Sequence, residues 1–122
     1  MGSTSDEPHA KKITEKLDEY GITWEQHAAS AHKQPLKVLE ILEANKNEKN
    51  IVYITIAGRS NALSGFVAAN SEFPTIGCPP FSDKSDMLVN IHSTLQMPSQ
   101  TPVLTVIDPG NCALAVKRIF GV

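Results

Sequence analysis

Two apolar, β-branched runs restrict this chain more than any other feature: Ile51-Val52-Tyr53-Ile54-Thr55-Ile56 and Val103-Leu104-Thr105-Val106-Ile107. A run without polar alternation reads as a strand covered on both faces. Each run stands between segments of helical spacing. Strands that alternate with helices imply a parallel sheet with helices on both faces. In such a sheet ligands bind beyond the carboxyl ends of the strands.

The remaining elements follow from spacing and punctuation. Ala10, Ile13, Leu17 and Tyr20 lie on one helical face, and Gly21 ends that helix. A short strand is expected over Thr23–Ala28. Pro35 opens a second helix, with either Leu36, Leu39 and Leu42 or Val38, Ile41 and Leu42 turned inward. The polar run Asn45–Asn50 is a surface loop and Ala57–Ser60 a turn. A helix carrying Leu63, Phe66 and Val67 comes next. Thr75-Ile76-Gly77 is a short strand stopped by Pro79-Pro80. Leu88, Ile91 and Leu95 mark a fourth helix. Asp108 caps a last helix with Pro109 in its first turn, running through Ile119.

The chain has 122 residues, the size of one domain, and carries no internal repeat. Eleven Lys and Arg against 13 Asp and Glu leave a net charge of −2, with no basic patch or Arg-rich run, so nucleic acid is not expected as a partner. No apolar run reaches the roughly 18 residues a membrane span needs. Met1–Asp6 is not a secretory signal, and it meets the myristoylation pattern only in part, because Asp6 stands where Ser or Thr is wanted. Cys78 and Cys112 have no CxxC spacing and read as buried or idle thiols of a reducing cytosol. No HExxH motif or Cys/His cluster is present, so no metal is expected.

Three polar turns at strand-to-helix junctions should meet at one edge of the sheet. Gly2-Ser3-Thr4-Ser5-Asp6 offers hydroxyls, a carboxylate and free N–H groups at a helix start, which suits an anion; Asp6 could equally serve only as the helix cap. Ser30-Ala31-His32-Lys33 brings a hydroxyl, an imidazole that titrates near neutral pH, and an ammonium. Ala57-Gly58-Arg59-Ser60-Asn61 with Leu63-Ser64-Gly65 combines close backbone approach with several donors. The P-loop, GxGxxG and GxSxG patterns are all absent. His9, His27 and His92 have no comparable neighbours and read as structural or surface residues. The first turn should follow a strand, yet only Met1 precedes it. The expectation is a single domain, 1–122, that lacks its first strand at the N-terminus; its end at Gly121-Val122, straight after a helix, leaves the C-terminus open to the same reading.

These three turns, in this order and spacing, resemble those of phosphoribosylaminoimidazole (AIR) carboxylases. Cys78-Pro79-Pro80, Ser93-Thr94-Leu95-Gln96-Met97-Pro98-Ser99 and Asn111-Cys112-Ala113 extend the likeness over nearly the whole chain. The resemblance implies a three-layer α/β/α sandwich with a flavodoxin-like parallel sheet. It also implies a cytoplasmic homo-octamer with active sites at subunit contacts, and a lyase of purine biosynthesis that works without a cofactor. Within the family, the class I mutase has Arg after the His of the second turn and a His in the third loop. Lys33 and Ser60-Asn61 stand there instead, which resembles class II, the type that uses free CO2.

By the same resemblance His32 and Lys33 are the catalytic pair, with His32 as the proton-transfer group. Ser3, Ser5, Ser30 and Lys33 would hold phosphate or carboxylate, beside Gly2, and Asp6 would hold the ribose hydroxyls. Ala57, Gly58, Arg59, Ser60, Asn61 and Ser64 would line the CO2 pocket. Met97 and Pro98 are expected to be exposed apolar residues that meet neighbouring subunits. Gln100 stands where the family usually has Gly, a departure that bears on the local loop. The alternatives are the class I mutase and a non-catalytic flavodoxin-like or receiver-like module. A receiver needs an Asp at the end of its third strand, where Ile56-Ala57-Gly58 stands, and Trp24 and Tyr53 are poorly placed to flank a flavin. A truncated, inactive paralogue kept for assembly is a third.

Overall fold

A computed structural model describes all of residues 1–122. After a single 3-10 turn, Thr4–Asp6, come α1 (Glu7–Glu19), α2 (Pro35–Asn45), β1 (Tyr53–Thr55) and α3 (Leu63–Ala69). Then follow β2 (Thr75–Gly77), α4 (Lys84–Asn90), α5 (His92–Leu95), β3 (Leu104–Thr105) and α6 (Pro109–Phe120). The three strands pair in parallel in the order β1-β2-β3, with Tyr53 opposite Thr75 and Ile76 opposite Leu104.

Alternation along the strands assigns the two layers. Ile54, Ile56, Ile76 and Cys78 turn to one face, where Ala10, Ile13 and Leu17 of α1 and Cys112, Ala113 and Val116 of α6 cover them. Tyr53 and Ala57 turn to the other, against Val38 and Leu42 of α2 and Leu63 and Val67 of α3. Ile13 and Ile76 are almost fully enclosed, at 1% and 0% exposed. Burial of that kind stabilises by about 1.5–3 kcal/mol per side chain. Gly77 lets the second layer approach closely: a Cβ there would stand 3.2 Å from Thr94 Cγ2 and 3.7 Å from Ser64 Cβ. Asp108 caps α6 as its position suggested, accepting from Asn111 N–H at 2.9 Å.

Several local expectations are corrected. Residues 23–28 form no regular strand. Main-chain bonds reach the segment only at its end, from Met1 N to His27 O at 2.9 Å and from Ala29 N to Met1 O at 2.9 Å. A ladder needs a partner along its length, and here Met1 alone pairs. Beside it, between this segment and β1, lies a cleft of about 640 Å³ lined by Ile13, Leu17, Ile22, Trp24, Val52 and Ile54. The apolar run at 51–56 is therefore covered less than its composition suggested, with Ile51–Ile54 only half-buried. The run at 103–107 lies at the sheet edge, and Leu104 and Ile107 are 52% and 38% exposed.

The fourth helix is two short pieces, broken at Ile91, with Leu88 and Leu95 outward. On α2 the inward face is Val38, Ile41 and Leu42, while Leu36 and Leu39 face out. Met97 is half-buried rather than exposed, its sulfur lying where a side chain on Gly65 would begin. Gln100 takes φ +61, a left-handed backbone that favours glycine. No helix is long and apolar enough to cross a membrane.

Candidate functional site

The three polar turns meet. They enclose one cavity of about 500 Å³ beyond the carboxyl ends of the strands. Gly2 N–H donates to Ile56 O at 2.9 Å, which fastens the first turn to the end of β1 just before the third. The third turn packs closely on the segment after β2, for a Cβ on Gly58 would stand 3.3 Å from the Pro80 carbonyl oxygen.

Each turn is held by its own side chains. Ser3 Oγ accepts from Ser5 N–H at 3.2 Å and shares a 2.9 Å hydrogen bond with Ser5 Oγ, which folds the 3-10 turn. Asp6 sits at the start of α1 but makes no side-chain capping bond, so its carboxylate is left for the cavity it lines. Burial raises the Asp6 pKa above the ordinary carboxylate value, against the pull of the nearby amino terminus and His9. Ser30 Oγ accepts from Lys33 N–H at 3.1 Å and closes the second turn, which leaves the His32 and Lys33 side chains exposed at the cavity rim.

Of the residues singled out from the sequence, Gly2, Ser3, Ser5, Asp6, Ser30, His32 and Lys33 line this cavity. Ala57, Gly58, Arg59 and Ser60 line it too. Asn61 and Ser64 do not. Asn61 is 5% exposed and turned into the protein, where its side-chain amide donates to Ser64 Oγ and to Thr94 Oγ1, both at 3.0 Å. Its carbonyl oxygen accepts from Leu63 N–H at 3.0 Å and Ser64 N–H at 3.2 Å, fixing the start of α3.

Ala31, Ala62, Leu63, Pro80 and Asp86 complete the lining. Asp86 was not legible in sequence, because no motif surrounds it on α4. The Ser82 N–H beside it, and then Asn90, hold its carboxyl below the usual range, with Arg59 adding its charge. Outside the lining, His9 Nε2 lies 3.1 Å from the Cys78 carbonyl oxygen and 3.6 Å from Cys78 Sγ. Both cysteines are free and buried. Cys112 pulls the Cys78 thiol down by hydrogen bonding, with help from His9 and against burial, while Cys112 itself is pushed up. No three His, Cys, Asp or Glu side chains gather as a metal ion would require.

A parallel α/β sheet with hydroxyls, backbone N–H groups, an imidazole, an ammonium and a guanidinium around one strand-end cavity defines a site for an anionic small molecule. The whole chain, residues 1–122, matches the AIR carboxylase family, and it belongs to that family. A phosphoribosylaminoimidazole carboxylase of Archaeoglobus fulgidus is 49% identical over 98% of this chain and 66% of its own length. One from Treponema denticola is 46% identical over 98% of this chain and 76% of its own. The crystal structure of Treponema denticola PurE superposes with a TM-score of 0.92 at 44% identity, covering 99% of this chain and 77% of that one. The chain thus spans about two thirds to three quarters of the length of these relatives. The α/β sandwich expected from the sequence is the fold found.

Proposed function

We propose that this chain carboxylates 5-aminoimidazole ribonucleotide with CO2, giving 4-carboxy-5-aminoimidazole ribonucleotide in de novo purine biosynthesis. The observation that carries this is the meeting of the three turns on one 500 Å³ cavity in a chain of the AIR carboxylase family. The aminoimidazole ring is electron-rich at C4. It attacks the carbon of CO2; the new C–C bond forms as one C=O pair moves onto oxygen, and the C4 proton then leaves. The chemistry asks for no ATP, biotin or metal.

What the protein supplies is position, charge and a proton acceptor. Ser3, Ser5, Ser30 and Lys33 hold the phosphate and the new carboxylate, beside the Gly2 backbone. Asp6 holds the ribose hydroxyls. His32 takes the C4 proton. Ala57, Gly58, Arg59 and Ser60 form the CO2 side of the cavity. The use of CO2 rather than a carbamate rests on Lys33 and on a third loop without His.

The working enzyme is a cytoplasmic homo-octamer in this account. Leu88, Val89 and Leu95, exposed by 66%, 75% and 56%, form the apolar surface of α4 and α5 that neighbouring subunits would cover. Turnover of aminoimidazole ribonucleotide with bicarbonate and no ATP tests the activity, and the particle mass in light scattering tests the assembly.

A further inference from the structure

The third turn carries strain that its own residues do not explain. Arg59 takes φ +53, a left-handed conformation. A residue with a Cβ adopts it only under strain. Asn61 N–H reaches back to Arg59 O at 2.7 Å, closing a tight three-residue turn around Ser60. Gly58, Arg59 and Ser60 line the cavity, so the shape of this turn sets where the guanidinium and the loop N–H groups stand. Strained backbone of this kind persists only where its surroundings hold it.

A side chain from another element bridges the turn. Ser93, on α5, accepts from Asn61 N–H at 2.9 Å and donates to the Arg59 carbonyl. The Asn90 carbonyl, 3.1 Å from the same hydroxyl, offers it a second acceptor. The hydroxyl therefore lies across the mouth of the turn and joins both its ends. The next residue, Thr94, receives the Asn61 side-chain amide at 3.0 Å, so α5 grips the base of the same turn from a second side. Ser93 itself does not line the cavity.

We propose that Ser93 is a positioning residue, which locks the Ala57–Asn61 turn in its left-handed form and so sets the CO2 side of the site. Without the hydroxyl, the Arg59–Asn61 turn loses the contact that joins its ends from outside, and Arg59 relaxes toward the right-handed region. The kinetic consequence rests on the function proposed above; the structural consequence does not.

The test compares Ser93→Ala and Ser93→Thr with the unmodified protein by amide hydrogen exchange and by kinetics with aminoimidazole ribonucleotide and bicarbonate. In Ser93→Ala the Asn61 amide should exchange about fivefold to tenfold faster, the factor that loss of a hydrogen bond of about 1–1.4 kcal/mol implies. The sheet amides should keep their protection, and kcat/KM should fall by a similar factor or more. Ser93→Thr keeps the hydroxyl and should restore both readouts. Unchanged exchange at Asn61 would overturn the proposal. So would faster exchange there with unchanged kcat/KM, or a loss of protection spread over the whole sheet in Ser93→Ala without recovery in Ser93→Thr. If the unmodified protein shows no turnover, the function fails, and the exchange comparison alone still decides whether Ser93 holds the turn.

Discussion

The side-chain amide of Asn61 lies 3.0 Å from the Ser64 hydroxyl, and both groups face the protein interior, away from the polar cavity. A residue type common in binding loops thus serves to shape the loop. Asn61 joins the start of α3 to Thr94 through four hydrogen bonds of its side chain. Asn61→Ala leaves the α3 N–H groups and two hydroxyls without that partner. The expected cost is about 1–3 kcal/mol, read as a lower urea midpoint at unchanged m-value.

His32 stands at the rim of the cavity, exposed, on a turn closed by Ser30 rather than by its own imidazole. Replacing the ring therefore disturbs little of the fold. His32→Asn should keep its circular dichroism spectrum and melting temperature while turnover falls roughly 10²–10⁴-fold, the usual size of a general acid–base contribution. A folded variant with near-normal rate would remove His32 from the proton-transfer role.

Asp6 gives a pH signature of definite sign. Burial raises its pKa in the folded state, so the folded protein holds this proton more tightly than the unfolded chain does. Its contribution to stability is full below the ordinary carboxylate range and is lost as pH rises through the raised folded value. Asp6→Asn cannot suffer that loss. The stability difference between variant and unmodified protein should move in favour of Asp6→Asn as pH rises from about 4 toward neutrality. At neutral pH the same variant should bind ribonucleotide roughly 10-fold or more weakly, the effect of removing a charged hydrogen-bond partner. Parallel stability curves across pH would contradict the burial of this carboxylate.

Much of the fold was legible because its signals are local. Thr75-Ile76-Gly77 followed by prolines, Asp108-Pro109 before a helix, and the Ala10, Ile13, Leu17 stripe each fix an element in a few residues. Burial was harder to read. The apolar runs at 51–56 and 103–107 announce strands, but how far they are covered depends on what lies beside them: a cleft next to β1 and the sheet edge at β3. The cavity followed the same division. The turns that line it stand out by composition, whereas Asp86 reaches it only through the tertiary packing of α4. Asn61 and Ser64 carry polar groups in the right stretch, and it is the packing against Thr94 that turns Asn61 inward.

Gln100, with φ +61, stands in a conformation that costs a residue with a Cβ about 1–2 kcal/mol. Glycine enters it freely but loses about 0.5–1 kcal/mol of backbone entropy on folding. Gln100→Gly should therefore stabilise the protein by about 0.5–1 kcal/mol, a rise of a few degrees in melting temperature. A lower melting temperature would mean that the Gln100 side chain contributes more than its backbone costs.

The fate of labelled carbon tests the proposed carboxylation directly. The protein, aminoimidazole ribonucleotide and carbon-labelled bicarbonate are mixed without ATP, and the product is separated and examined for label at the carboxyl group on C4. Labelled 4-carboxy-5-aminoimidazole ribonucleotide should form, at a rate that rises with dissolved CO2 and falls sharply in His32→Asn. Product formed only when a carbamate-bearing ribonucleotide is supplied, with no label from CO2, would contradict the proposal.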